Sequence, residues 1–257
     1  MNDRMPSSMK QEEWDYLANH LRVTTAESAD RTYSISARDL VDEHKCGLYL
    51  DGLANLYRSP SRAMTASPFA KRYAFLIVSP GLYAMTMYNR GLDLSIGNCH
   101  VESYYQKTTW MPNMRLAHVN VTQPASAGRN AWRDQILSSM FAGHLAQVWR
   151  TIAKASNIPR SILWENTAIY VYTLYEKRIL EAAGRQEQFR MQEDFEYLIR
   201  DAPAGLFGEK YNPFARFDSP KCIVPASDQP IRIRKTCCYY YMISDHESYC
   251  PSCPKVN

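Results

Sequence analysis

Four of the seven cysteines in this 257-residue chain fall between Cys237 and Cys253, in the stretch RKTCCYYYMISDHESYCPSC. Nothing else in the sequence restricts the fold as strongly. Cys237 and Cys238 are adjacent, whereas Cys250 and Cys253 are spaced C-x-x-C. Thiolates select soft metals: zinc, copper(I) or an iron-sulfur cluster. Zinc sites ordinarily draw on two C-x-x-C knuckles, because two intervening residues let both sulfurs converge on one tetrahedral ion. Adjacent cysteines diverge in most backbone conformations, so one ion is hard to chelate with both. A two-iron cluster offers two metal atoms as anchoring points. On chemistry alone, iron-sulfur ranks first, zinc second, and a disulfide or inert thiols third.

The compartment bears on that ranking. The remaining cysteines, Cys46, Cys99 and Cys222, are scattered and read as small apolar fillers. A secreted disulfide scaffold spreads its cysteines through a small domain, whereas here they crowd one end. The start, MNDRMPSSMKQEEWDY, is polar and has no apolar core of a signal peptide, and no run approaches the roughly 18 apolar residues of a membrane helix. The expectation is a soluble, unexported, cytoplasmic protein without a transmembrane segment, in a reducing compartment where clustered thiols serve a metal. Lys and Arg total 30 against 26 Asp and Glu. That small excess lacks the footprint of a phosphate-backbone binder, so no nucleic-acid partner is expected.

The rest of the chain reads as α+β and helix-rich: a helical body, a small antiparallel β-sheet and a short C-terminal cysteine module. Residues 10–21 have helical spacing, 24–37 read as a loop, and 37–57 show an imperfect helical pattern. After a break at RSPSRAMTASP, residues 69–89 are apolar on nearly every side around Pro80, which fits a buried helix kinked there better than a strand ending there. Strands belong between Gly91 and Val121, where Gly97-Asn98 and Pro112-Asn113 signal turns. Trp132, Ile136, Met140, Leu145, Val148 and Ile152 place one apolar stripe on a helix of about seven turns. The next helix starts at Pro159, is apolar on all sides, and ends at Gly184; a more charged one spans Gln186 to Arg200. Prolines at 203, 213, 220, 225 and 230 make the remainder a tether to the cysteines. The domain expectation is a body over 1–229 and a module over 230–257.

The order Cys237-Cys238, eleven residues, then Cys250-x-x-Cys253, after Arg232, Arg234, Lys235 and Thr236, resembles the C-terminal [2Fe-2S] motif of the FhuF family of ferric-siderophore reductases. That motif has an adjacent pair, about ten residues and C-x-x-C after an R-x-R-R-T lead-in; here the gap is one residue longer and Lys235 replaces an arginine. Leu163-Trp164-Glu165-Asn166-Thr167-Ala168 resembles the family's L-W-x-N-x-A segment, and Asn212-Pro213-Phe214 its pre-cluster segment. The helical part is also shared with siderophore synthetases, which lack the cysteines.

The resemblance implies that Cys237, Cys238, Cys250 and Cys253 hold a [2Fe-2S] cluster. It implies one-electron reduction of Fe(III) in a hydroxamate-type or citrate-hydroxamate siderophore, freeing Fe(II) for the cell. A ferredoxin, a flavodoxin or an NAD(P)H-dependent reductase would recharge the cluster, since no nucleotide fingerprint is present. Candidate substrate contacts are His144, Asn166, Lys107, Arg133 and Arg150, each with a plainer structural or surface reading beside it. Arg232, Arg234 and Lys235 are candidates for tuning the cluster by charge. Tyr239 to Tyr241 are read as its aromatic cover. The competing classes are a zinc-stapled binding module and a relative of the siderophore synthetases.

Overall fold

In chain order the helices and strands begin with α1 (Gln11–Leu21), β1 (Val23–Thr24), β2 (Ile35–Ser36), α2 (Ala37–Leu40), α3 (Glu43–Tyr57) and α4 (Arg62–Tyr88). Six short strands follow: β3 (Gly91–Leu92), β4 (Cys99–Glu102), β5 (Tyr105–Gln106), β6 (Thr109–Trp110), β7 (Asn113–Leu116) and β8 (Val121–Thr122). Then come α5 (Arg129–Met140), a π turn (Phe141–Leu145), α6 (Ala146–Ser156), α7 (Arg160–Thr173), a π segment (Leu174–Ile179), α8 (Leu180–Ala182) and α9 (Arg185–Glu196). A hairpin of β9 (Lys221–Val224) and β10 (Ser227–Arg232) leads to the cysteines. The structure is a computed structural model and describes residues 9–224, 227–243 and 249–256. It is α+β and helix-rich, as the sequence implies.

α4 is the central element. Ser61 caps it by accepting from the Met64 amide at 3.3 Å, so the helix begins inside the segment expected to be a break. It then continues through both Pro68 and Pro80. An interior proline removes one backbone hydrogen bond and costs about 3 kcal/mol or more. Burial over most of its circumference offsets this: Leu76, Ile77, Val78 and Leu82 are wholly inaccessible. Gly81, next to Pro80, admits α5 so closely that an added Cβ would lie 2.6 Å from the Met140 sulfur.

The main sheet has the order β1-β7-β4-β2. Its antiparallel centre pairs Cys99 with Leu116 and Val101 with Met114, which fills the place expected for the small sheet. β1 adds a parallel edge from residues partly read as loop, and β2 comes from the same region. Two residues per strand give too short a period to register in the sequence. The β9–β10 hairpin also interrupts the proline-rich tether, with Pro230 in an edge strand where its missing N–H is tolerated.

The long helix expected around Trp132 to Ile152 is present but underwound at Phe141–Leu145, where a π turn shifts the buried face. α7 packs along α4 and is buried on most of its circumference: Ile162, Leu163, Trp164, Ala168 and Val171 all lie in the core. Among the described residues no helix is long and apolar enough to cross a membrane.

Candidate functional site

Glu165 and Asn166 stand on the buried wall of α7, and burial obliges each to find partners. The Glu165 carboxylate accepts from the Lys235 amide at 2.5 Å, the Thr236 amide at 2.8 Å, and the Thr236 hydroxyl. Asn166, wholly buried, donates to the carbonyl and hydroxyl oxygens of Ser67 on α4 at 3.1 and 3.2 Å. Its own carbonyl oxygen accepts from Arg234 at 2.8 Å. The Ser67 hydroxyl in turn donates to the Cys238 carbonyl at 2.7 Å. Arg234 also lies 3.4 Å from Glu165, donates to the Thr236 carbonyl at 3.0 Å, and bonds the Ser252 carbonyl through its amide at 3.0 Å. Thus α4 and α7 clamp the backbone entering the first cysteine pair, and Arg234 ties it to the turn holding the second.

Cys238 and Cys253 are buried, and Cys237 and Cys250 half-buried. The Cys253 amide donates to the Cys250 carbonyl at 2.9 Å, which closes the C-x-x-C turn, and the Tyr239 amide points at the Cys237 sulfur at 3.5 Å. The sulfurs of Cys238 and Cys250 stand 3.9 Å apart. Two thiolates bound at about 2.3 Å to one tetrahedral metal stand about 3.8 Å apart, so this pair has the separation of a ligand edge. Among the described residues no three Cys, His, Asp or Glu side chains converge on a single ion. The thiol hydrogen bond between Cys238 and Cys250 holds Cys238 well below the ordinary thiol range, with Lys71 and Arg234 reinforcing it against burial; Cys250 moves up in return. Arg234 Nη1 is buried with no hydrogen-bond partner among the described residues. An orphaned guanidinium nitrogen whose charge reaches Cys238 suits an anionic group, as a four-thiolate two-iron cluster is.

Residues 67–217 match the family described as "Ferric iron reductase FhuF-like transporter", and residues 234–255 match the "FhuF 2Fe-2S C-terminal domain". The chain belongs to the FhuF-like family. Its two matched parts are joined by the β9–β10 hairpin. No curated protein matches the chain. Among solved structures, aerobactin synthetase IucC from a hypervirulent pathotype of Klebsiella pneumoniae is similar over 70% of this chain and 35% of that one, at 13% identity and a TM-score of 0.46. This FhuF-like chain therefore spans about a third of that protein's length.

Of the residues singled out in the sequence, Arg234 meets Asn166 at the cysteine lead-in; Asn166, expected to contact substrate, is instead wholly buried with its amide spent on Ser67 and Arg234. The FhuF-like lead-in otherwise divides. Arg232 pairs with Glu176 at 2.9 Å and Asp218 at 3.2 Å and stacks on Tyr172 at 4.2 Å, fastening β10 to the helical body. Lys235 is exposed and donates to the Arg216 carbonyl at 2.7 Å. His144 is inaccessible to any substrate: its Nδ1 lies 2.5 Å from the Leu94 carbonyl and its Nε2 2.5 Å from the Tyr73 hydroxyl. Arg133, expected at the surface, is buried against Asp194 at 3.1 Å and Tyr197 at 3.8 Å, because the carboxylate it needs arrives on α9. Arg150 donates to the Gly208 carbonyl at 3.2 Å. Lys107 is exposed at the β5–β6 turn. Cys46 and Cys99 are buried fillers, whereas Cys222 is exposed on β9. Tyr241 stacks on Tyr249 at 4.8 Å, and Tyr240 stays largely open to solvent.

Sequence reasoning missed Glu165, Ser67 and Lys71. For Glu165 a signal existed: a carboxylate on an otherwise apolar helix must have a buried partner, and the Arg234-Lys235-Thr236 run supplies one. Ser67 and Lys71 carried no such mark.

Proposed function

We propose that this chain is a cytoplasmic ferric-siderophore reductase in which residues 230–257 form a [2Fe-2S] module seated on the body of residues 1–229. Cys237, Cys238, Cys250 and Cys253 would hold the cluster, which supplies one electron at a time to ferric iron in a hydroxamate-type or citrate-hydroxamate chelate. Hard oxygen donors bind Fe(III) far more tightly than Fe(II), so reduction alone loosens the iron and no general acid or base is required. The observation that supports this reading best is the Arg234 guanidinium, three residues before Cys237, tied to Asn166 and Glu165 while its buried Nη1 has no hydrogen-bond partner among the described residues. Those two residues orient the lead-in, Ser67 fixes the Cys238 backbone, and Lys71 with Arg234 offsets the negative charge of thiolates. Electrons would come from an external ferredoxin, flavodoxin or NAD(P)H-dependent reductase.

The test supplies a ferredoxin and its reductase, offers ferric hydroxamates, and traps Fe(II) with a ferrous chelator. Continuous Fe(II) release by the wild-type chain, and its loss in Cys250→Ser, is the expected result. A colourless protein with one zinc per chain and no Fe(II) release would overturn the proposal.

A further inference from the structure

A cleft of about 780 Å3 opens beside the cysteine module, and Cys238 forms part of its wall. That volume is ordinary for a small-molecule site. Its charge is not ordinary. Arg22, Arg58, Lys71 and Arg72 line it, and none of its described lining residues is a carboxylate. They converge from the end of α1, the end of α3 and the middle of α4.

How three of these cations are held matters most. The Arg22 guanidinium lies 4.5 Å from the Phe75 ring, and that of Arg72 lies 5.2 Å from the Tyr57 ring. Arg72 also donates to the Trp110 carbonyl at 3.0 Å, and Lys71 sits 5.8 Å from the Tyr240 ring. Aromatic faces and a backbone carbonyl fix their positions without cancelling their charge. Burial holds Arg22 below the usual arginine range; Tyr170 opposes this, and Arg72 adds to it by repulsion. Like charges fixed together in a half-buried cleft raise the free energy of the empty site and lower it when an anion enters.

We infer that this cleft binds the ferric chelate, and that the substrate class is a ferric complex of net negative charge, one bearing a carboxylate beyond its hydroxamates, as a citrate-hydroxamate does. The inference rests on the reductase reading, because Cys238 in the wall is what gives the chelate a reason to sit there. Lys71 shares the cleft wall with Cys238, so its charge also offsets repulsion between a negative cluster and a negative substrate. The other large cleft touching the module, about 710 Å3, is lined by Glu165, Glu176 and Glu181 as well as by cations, and offers an anion no comparable field.

Gallium(III) chelates test this without electron transfer, since gallium has no accessible divalent state. Affinities of the cluster-loaded full chain are measured for three complexes: an anionic gallium citrate-hydroxamate, a neutral gallium trihydroxamate and a cationic one. The anionic complex should bind tighter by about tenfold or more, the scale of one charge-assisted contact. Its affinity alone should weaken as salt rises from low to moderate ionic strength. In an Arg22→Gln/Lys71→Met variant that keeps the wild-type unfolding midpoint and cluster spectrum, the preference should fall to about threefold or less. Equal binding of all three charges, or an unchanged preference in the folded variant, overturns the inference. If gallium binding shows the charge preference but no ferric chelate is reduced, the reductase reading fails and the anion site stands.

Discussion

Glu165 shows most plainly how one residue connects sequence to site. Its carboxylate is the common acceptor for two backbone amides and a hydroxyl of the cysteine lead-in, and the nearest anion to a buried guanidinium. Removing one member of such a buried pair leaves an uncompensated charge and costs about 3–5 kcal/mol. Glu165→Gln is therefore expected to undock the module while leaving the helical body folded. Limited proteolysis should then cut between residues 217 and 237, and iron content per chain should drop; intact protection and full iron loading would refute the anchoring role. The four cysteines and Arg234 were legible because thiols and charge in a short run have few structural uses. Arg133 was not, because the Asp194 that buries it lies 61 residues away and the pairing exists only after folding.

At the level of elements, the π turn between α5 and α6 turns His144 inward, where Tyr73 and Leu94 occupy both ring nitrogens. Burial pushes this imidazole down to about 4, against the Leu94 hydrogen bond, which opposes the shift. An unfolded histidine titrates near 6.5. Between about 6.5 and 4 the unfolded chain therefore binds a proton that the fold refuses. This contribution is fully present above about 6.5 and is lost as pH falls toward about 4, roughly 3 kcal/mol in all. Urea unfolding of the full chain followed by tryptophan fluorescence should show that acid-side slope. His144→Gln, which keeps a donor and an acceptor but does not titrate, should flatten it by about that amount; an identical slope would show that His144 is not the group responsible. The helical stripe through Trp132 and Ile152 was readable from its period, while the π turn within it was not, since one inserted residue changes the phase without changing composition. Likewise α4 was readable downstream of Phe69, but its first turns carry Ser61 and Pro68, residues that read as a break until packing against α7 holds them in a helix.

Across the whole molecule, the C-terminal module is held by residues far from it in sequence: Ser67 on α4, Glu165 and Asn166 on α7. That arrangement places Cys238 where buried anchoring meets the cationic cleft. A helix-rich body and a four-cysteine tail were both legible in the sequence, through periodicity and spacing. The sequence did not announce the cleft, because Arg22 and the Lys71-Arg72 pair are ordinary surface-type residues in two separate contexts until α1 and α4 are brought side by side. The most direct measurement is a single-turnover titration: protein reduced anaerobically with one electron per chain, freed of reductant, and mixed with increasing ferric citrate-hydroxamate. The reduced-cluster paramagnetic signal should disappear in step with Fe(II) trapped, one ferrous ion per electron lost. A signal that persists undiminished across hydroxamate and citrate-hydroxamate chelates would contradict the account.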